Sequence, residues 1–165
     1  MKKVLLLIIS VLFAIQSNAQ IQKESPAVTI DSFSTKLAEL QHDYDFLYCD
    51  YKLYQIITDL GQLSHDIKII RNELSIDIYH ERYDRDFYTV LSEDYDTKCE
   101  FYDVIKRKFE AVQKLVITKT VTTGFTESEL NLFSASIKTI ESAMKVVEEG
   151  LKYYDRLLKI YKDEN

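Results

Sequence analysis

The chain has 165 residues, with 21 basic and 27 acidic side chains and a formal net charge of −6. One proline and three glycines are too few for an all-β protein with many turns. The acidic balance argues against nucleic acid as a partner, because the phosphate backbone repels it. The length is sufficient for one domain with a hydrophobic core.

The first 19 residues have the composition of a secretory signal peptide. Two lysines precede the apolar run 4–15, and Ser17 and Ala19 are the small residues before a cleavage site. The run is shorter than the roughly 20 residues that a membrane-spanning helix needs. We therefore predict cleavage after Ala19, a periplasmic or secreted location, and no stable membrane insertion afterwards. Cleavage changes the net charge from −6 to −8, because both lysines are lost.

Residues 20–30 have no clear period and are predicted to be a short leader, followed by a single helical domain over 31–165. From residue 33 onward, apolar side chains recur at steps of four and three, which predicts an amphipathic helix with these side chains buried. We call them the first stripe: Phe33, Leu37, Leu40, Tyr44, Leu47, Tyr51 and Tyr54. The pattern resumes at Leu63 and continues to Leu74, and Gly61 between the two runs predicts a kink or a tight turn.

The segment DYDFLYCDYKLY, residues 43–54, has four tyrosines and three aspartates. Its spacing predicts a buried helix face in which tyrosine replaces leucine, with Asp43, Asp45 and Asp50 toward solvent. An aromatic platform for carbohydrate is the less favoured interpretation, because rings packed in a core cannot stack on sugars.

Beyond Leu74 the apolar positions change phase, and Ser92 begins a second candidate break. A further run of apolar residues at steps of three and four extends from Tyr95 to Val116, and residues 118–125 are predicted to be a loop. Thr126 and Glu129 then form a predicted capping box. The helix that follows has a regular apolar stripe: Leu130, Phe133, Ile137, Ile140, Met144, Val147, Leu151, Tyr154, Leu158 and Tyr161. The predicted fold is all-α, an elongated antiparallel helical hairpin or a three-to-four-helix coiled-coil-like bundle.

The segment IYHERYDRDFYTVL, residues 78–91, mixes tyrosine with both charge signs. Tyrosine and arginine are enriched at protein interfaces. The segment therefore contains a candidate partner surface: Tyr79, Arg82, Tyr83, Arg85 and Phe87. The alternative is a local bend whose aromatic side chains pack on the last helix.

The chain has two cysteines, Cys49 and Cys99. An exported protein with two cysteines is a candidate for a disulfide, provided that the two Cα atoms come within about 7 Å. A helical hairpin does not obviously align these two positions. A catalytic role for Cys49 is disfavoured because the neighbouring aspartates raise the pKa of its thiol.

Glu39 and His42 have the ExxH spacing of helical di-metal sites, and Asp77 and His80 repeat it with aspartate. Such ligands must point into the core, and the first stripe places Glu39 and His42 outward. We predict neither a metal site nor a bound cofactor. The sequence has no HExxH, GxSxG or glycine-rich phosphate loop, so we predict no enzymatic activity.

Residues 1–19, the segment GFTESEL at 124–130 and the heptads that continue to Tyr161 resemble the periplasmic helical accessory proteins of conjugative type IV secretion, the minor-pilus or TrbJ-like group. The resemblance lies in the architecture and includes no diagnostic motif. It implies an exported, non-enzymatic helical protein that acts through protein–protein interaction. Two alternatives stay open: a helical-bundle metal-binding protein or enzyme, and an envelope-stress or inhibitor-type chaperone with an exposed apolar stripe. Homo-oligomer formation is also left open.

Overall fold

A computed structural model describes residues 26–163 as three helices with no strand among them. They are α1, Pro26–Tyr79; α2, Arg85–Thr123; and α3, Glu127–Asp163. The predicted all-α class is confirmed, and of the two predicted architectures the three helices match the three-to-four-helix bundle. The predicted signal peptide and residues 20–25 lie outside the described part of the chain. None of the described helices is both long and apolar enough to cross a lipid bilayer.

The chain divides into two units after Leu40. In the first unit, the described residues 26–40 are helical, although residues 26–30 were assigned to the leader. The hydroxyl groups of Ser34 and Thr35 donate hydrogen bonds to the Asp31 carbonyl within this helix. Among residues 30–40 of this unit, the large apolar side chains are exposed: Ile30, Phe33, Leu37 and Leu40.

In the second unit, short connections make consecutive helices antiparallel. Residues 80–84 join α1 to α2, and residues 124–126 join α2 to α3. Contacts between the helices fix their register: Lys108 with Asp59 at 3.0 Å, and the Tyr102 hydroxyl with Glu148 at 2.8 Å. Both connections end in a cap.

The first connection ends at Asp84, whose side chain accepts hydrogen bonds from the backbone N–H groups of Asp86 and Phe87. The Asp84 backbone N–H itself donates to the Tyr161 hydroxyl at 2.9 Å, which ties the start of α2 to the end of α3. In the second connection Gly124 has φ 76°, a left-handed conformation that glycine adopts without strain, and its N–H closes α2 on the Thr120 carbonyl.

The predicted capping box is confirmed at the start of α3. The Glu129 carboxylate accepts hydrogen bonds from the Thr126 backbone N–H at 2.8 Å and from the Thr126 hydroxyl at 2.7 Å. The predicted stripe of α3 is confirmed as well, because all ten side chains are buried or pack against the core. The stripe of α2 from Tyr95 to Val116 also faces the core.

On α1 the prediction of the buried face was wrong for the first stripe. All seven of its side chains are exposed. The core instead receives a second set at the same steps, which we call the core stripe: Phe46, Cys49, Leu53, Ile56, Leu60, Leu63 and Ile67. The core stripe stays in phase with Leu74, which is fully buried, whereas the first stripe ends at Tyr54. Only the core stripe therefore packs against α2 and α3 along most of the second unit.

The structure has neither the predicted tight turn at Gly61 nor the predicted break at Ser92. Gly61 lies inside α1, where an added Cβ would meet nothing within 4 Å, and Ser92 lies inside α2. A single helical glycine costs about 1 kcal/mol relative to alanine. Burial of Leu60 and Leu63 on either side of it offsets that cost, since each buried leucine contributes about 2 kcal/mol.

The predicted loop over 118–125 is also shorter than expected, since α2 continues to Thr123. The reason is a polar contact between α2 and α1. The Lys119 ammonium lies 2.9 Å from the Asp45 carboxylate, and the Thr123 hydroxyl donates to the same carboxylate at 2.7 Å. Asp45, predicted to face solvent, is 2 % exposed. Burial opposes its ionisation, but hydrogen bonds from Lys119, Thr123 and Gln41 outweigh burial and hold the pKa of Asp45 below its usual value.

Three tyrosines in the core should make the fold sensitive to alkali. Burial raises the pKa of Tyr95 to about 12 and, together with the nearby carboxylates Glu148 and Asp94, raises the pKa of Tyr102 and Tyr154. Each hydroxyl is thus more acidic in the unfolded chain, where its pKa is about 10. We expect full stability below about pH 10 and a progressive loss as the pH rises above it.

Circular dichroism and tyrosinate absorbance, followed together through an alkaline titration, test this expectation. Helix loss should coincide with ionisation of the buried tyrosines. Tyr102→Phe removes one ionisable hydroxyl. The pH at which half of the helical signal is lost should therefore rise in this variant. An unchanged midpoint pH in that variant would contradict a contribution of Tyr102 to the alkaline loss of stability.

Candidate functional site

The exposed part of the first stripe in the second unit forms a continuous aromatic surface on α1. Tyr48, which flanks the stripe, is exposed as well, and we call the five residues together the aromatic face: Tyr44, Leu47, Tyr48, Tyr51 and Tyr54. Leu47 is 62 % exposed and Tyr54 is 64 % exposed. The core stripe lies two residues further along the chain at each step, which corresponds to about 200° around the helix. The second unit therefore has an apolar stripe on two opposite sides of α1.

Neighbouring side chains hold the tyrosines of the aromatic face in place. The rings of Tyr44 and Tyr48 stack with their centroids 6.0 Å apart. The Lys52 ammonium lies 5.5 Å from the centroid of the Tyr48 ring, and the Gln55 amide donates to the Tyr51 hydroxyl at 2.9 Å. These contacts join residues one helical turn apart, and each such pair contributes about 0.2–0.5 kcal/mol to the arrangement of the exposed rings.

A groove of about 690 Å³ runs between the aromatic face and α2. Tyr48 and Tyr51 line it on the α1 side, and Ala111 and Leu115 line it on the α2 side. Lys108 and Asp59 form an ion pair within it. An amphipathic helix of another molecule can bind in an apolar groove of this kind between two helices.

The candidate partner surface at 78–91 is divided by the structure. Tyr79, Arg82 and Arg85 are exposed at the α1–α2 connection. Tyr83 and Phe87 pack edge-on against the Tyr161 ring, at centroid distances of 5.3 and 6.3 Å. The predicted bend that packs on the last helix is thus present, and partner binding by the three exposed residues stays a prediction.

Cys49 and Cys99 are free thiols that the fold does not bring together. Asp45, one turn before Cys49, contacts Lys119, which lies 20 residues after Cys99 on α2. At 1.5 Å per residue, the two cysteines are roughly 25 Å apart along the bundle. That separation exceeds the roughly 7 Å that a disulfide allows. Burial raises the pKa of both thiols, and Asp45 adds to the effect at Cys49.

The four residues considered as metal ligands are not assembled into a site. His42 lies against the start of α3, with its Nε2 atom 3.3 Å from the Glu129 carboxylate and its ring edge-on to Phe125. Glu39 and His80 are exposed. Between residues 26 and 163, no three histidine, cysteine, aspartate or glutamate side chains are arranged to hold a metal ion.

The sequence pattern predicted a buried position for four residues of the aromatic face, Tyr44, Leu47, Tyr51 and Tyr54, all of which are exposed. The signal that distinguishes the two stripes is continuity, because only the core stripe keeps its phase from Phe46 to Leu74. In comparisons with known proteins, no family model, curated protein or solved structure matches the chain. Its function must therefore be inferred from the residues of the site.

Proposed function

We propose that this chain is an exported, non-enzymatic helical protein that acts by binding other proteins, as an accessory of the cell envelope or of a secretion apparatus. The observation that carries the proposal is the exposed aromatic face of α1 beside an apolar groove. Exposed apolar patches that are continuous and bordered by polar residues are typical of protein-interaction sites. The composition of residues 1–19 supports export.

Tyrosine suits such a surface because it combines a large apolar ring with a hydrogen-bonding hydroxyl, and it is enriched among the residues that dominate binding energy. The acidic balance of the chain favours partners with basic or neutral surfaces over nucleic acid or anionic lipid.

Capture of partners by the full chain, tagged at its C-terminus and cross-linked in cells of its own source, tests the proposal. We expect recovery of envelope or secretion-apparatus proteins, and loss of that recovery in Tyr51→Ser/Tyr54→Ser. The matched control is Ile117→Ser/Val146→Ser, which changes exposed apolar residues elsewhere. Loss in Tyr79→Ser/Arg82→Ser instead would move the site to the α1–α2 connection. If no partner is recovered, the proposal is wrong.

A second candidate function is that of an envelope chaperone, which an open apolar stripe also favours. Such a protein would suppress the aggregation of unfolded clients, and Tyr51→Ser/Tyr54→Ser would reduce that activity. Purified protein without effect on client aggregation would exclude this candidate.

A further inference from the structure

The aromatic face has the geometry of one strand of a coiled coil. Tyr44 and Tyr51 occupy positions a of successive heptads, and Leu47 and Tyr54 occupy positions d. All four side chains are exposed on α1, on the side opposite the core stripe. In a two-stranded coiled coil, such side chains insert between those of an equivalent helix. A helix with the same spacing is present in every copy of this chain.

The residues beside the stripe favour one orientation of two such helices. Asp43 and Asp50 occupy positions g, and Tyr48 and Gln55 occupy positions e. In a parallel, in-register pair, Asp43 of one copy faces Tyr48 of the other, and Asp50 faces Gln55. Each carboxylate then accepts a hydrogen bond from a hydroxyl or an amide. In an antiparallel pair, the g positions face one another and bring aspartates together, which like-charge repulsion disfavours.

The exposed area is sufficient for a specific dimer. Large aromatic side chains bury about 150–250 Å² each. Five side chains that are about half exposed therefore offer about 500 Å² per copy, or about 1,000 Å² in total, the lower limit of a specific interface. The groove wall adds to this area, because position e lies on the α2 side. Tyr48 and Gln55 line the groove together with Ala111 and Leu115.

We propose that the aromatic face binds a second copy of the chain, with the two α1 helices parallel and in register. The g side of each α1 then lies at the edge of the groove of the other copy, where its aspartates face Tyr48 and Gln55. This inference rests on the proposed function in one respect, since both use the same face. It adds that one of the proteins bound by the aromatic face is a second copy of the same chain.

Sedimentation equilibrium of the purified, processed full chain tests the dimer. We expect a reversible dimer with a Kd between about 1 and 100 µM. Leu47→Asp sets two carboxylates against each other at position d and should raise the Kd by at least about 100-fold. Val146→Asp is the matched control, because Val146 is equally exposed but lies on α3, and its Kd should stay within about twofold. Circular dichroism checks that both variants are folded.

Cross-linking tests the orientation. In a parallel, in-register pair, position 51 of one copy lies beside position 51 of the other, so oxidised Tyr51→Cys should form a covalent dimer. Val146→Cys and the unchanged chain, in which Cys49 and Cys99 are retained, are the controls. An antiparallel pair would instead cross-link only when Leu47→Cys and Tyr51→Cys are mixed, and that result would overturn the proposed orientation.

A chain that stays monomeric above about 100 µM overturns the dimer. If that monomer still captures another protein, and Tyr51→Ser/Tyr54→Ser abolishes the capture, the proposed function stands without the dimer. A dimer that captures nothing else supports this inference and contradicts the proposed function.

Discussion

Leu53→Ala should lower the free energy of unfolding by about 2–5 kcal/mol, whereas Leu47→Ala should change it by no more than about 0.5 kcal/mol. The two leucines are six residues apart on α1, but Leu53 is fully buried and Leu47 is 62 % exposed. Removing the Leu53 side chain leaves a cavity between α1 and the other helices, which can close only in part. Removing the Leu47 side chain leaves no cavity, because its surroundings in the single chain are solvent.

Urea denaturation measures both values, at a protein concentration at which sedimentation shows monomers only. That condition matters because a second copy bound at Leu47 would add to the apparent stability. The opposite result, a large cost at Leu47 and a small one at Leu53, would mean that the first stripe is the buried one. The aromatic face would then no longer be available as a binding site.

Asp45→Ala should cost about 2–4 kcal/mol, because it removes a buried carboxylate that holds the end of α2. The change removes the acceptor for Lys119, Thr123 and Gln41 and leaves the partly exposed Lys119 ammonium without this carboxylate. The matched control is Asp59→Ala, which breaks an ion pair between the same two helices at a partly exposed position, where Asp59 contacts Lys108. We expect Asp59→Ala to lower the free energy of unfolding by no more than about 1 kcal/mol.

Thermal or urea unfolding of the two variants, repeated as the pH is lowered, measures this difference. The pKa of Asp45 is lower in the folded chain than in the unfolded chain, where it is about 3.9. The carboxylate therefore stabilises the fold above about pH 4, and this contribution is lost as the pH falls through the folded pKa. The difference in the free energy of unfolding between the unchanged chain and Asp45→Ala should therefore decrease as the pH is lowered. Equal costs for Asp45→Ala and Asp59→Ala at neutral pH would contradict the buried network.

The helical class, and the buried sides of the two helices that have a single apolar stripe, could be predicted from the sequence. On α3, every apolar step from Leu130 to Tyr161 points to one side, and the cap at Thr126 marks the start, so period and capping chemistry suffice. On α2, the run from Tyr95 to Val116 has the same property. The continuation of α2 to Thr123 was not predictable, because it depends on a carboxylate on α1, far away in the chain.

Which side of α1 is buried depends on its packing against α2 and α3. The sequence places apolar residues at heptad spacing on two opposite sides of the same helix, and each side by itself satisfies the rule for a core-facing stripe. The spacing of apolar residues alone therefore does not indicate which of the two sides faces the core. The choice follows from the length over which each stripe can pack, and the core stripe, in phase from Phe46 to Leu74, buries more area against α2 and α3 than the first stripe can. The aromatic side chains left outside are the candidate binding site.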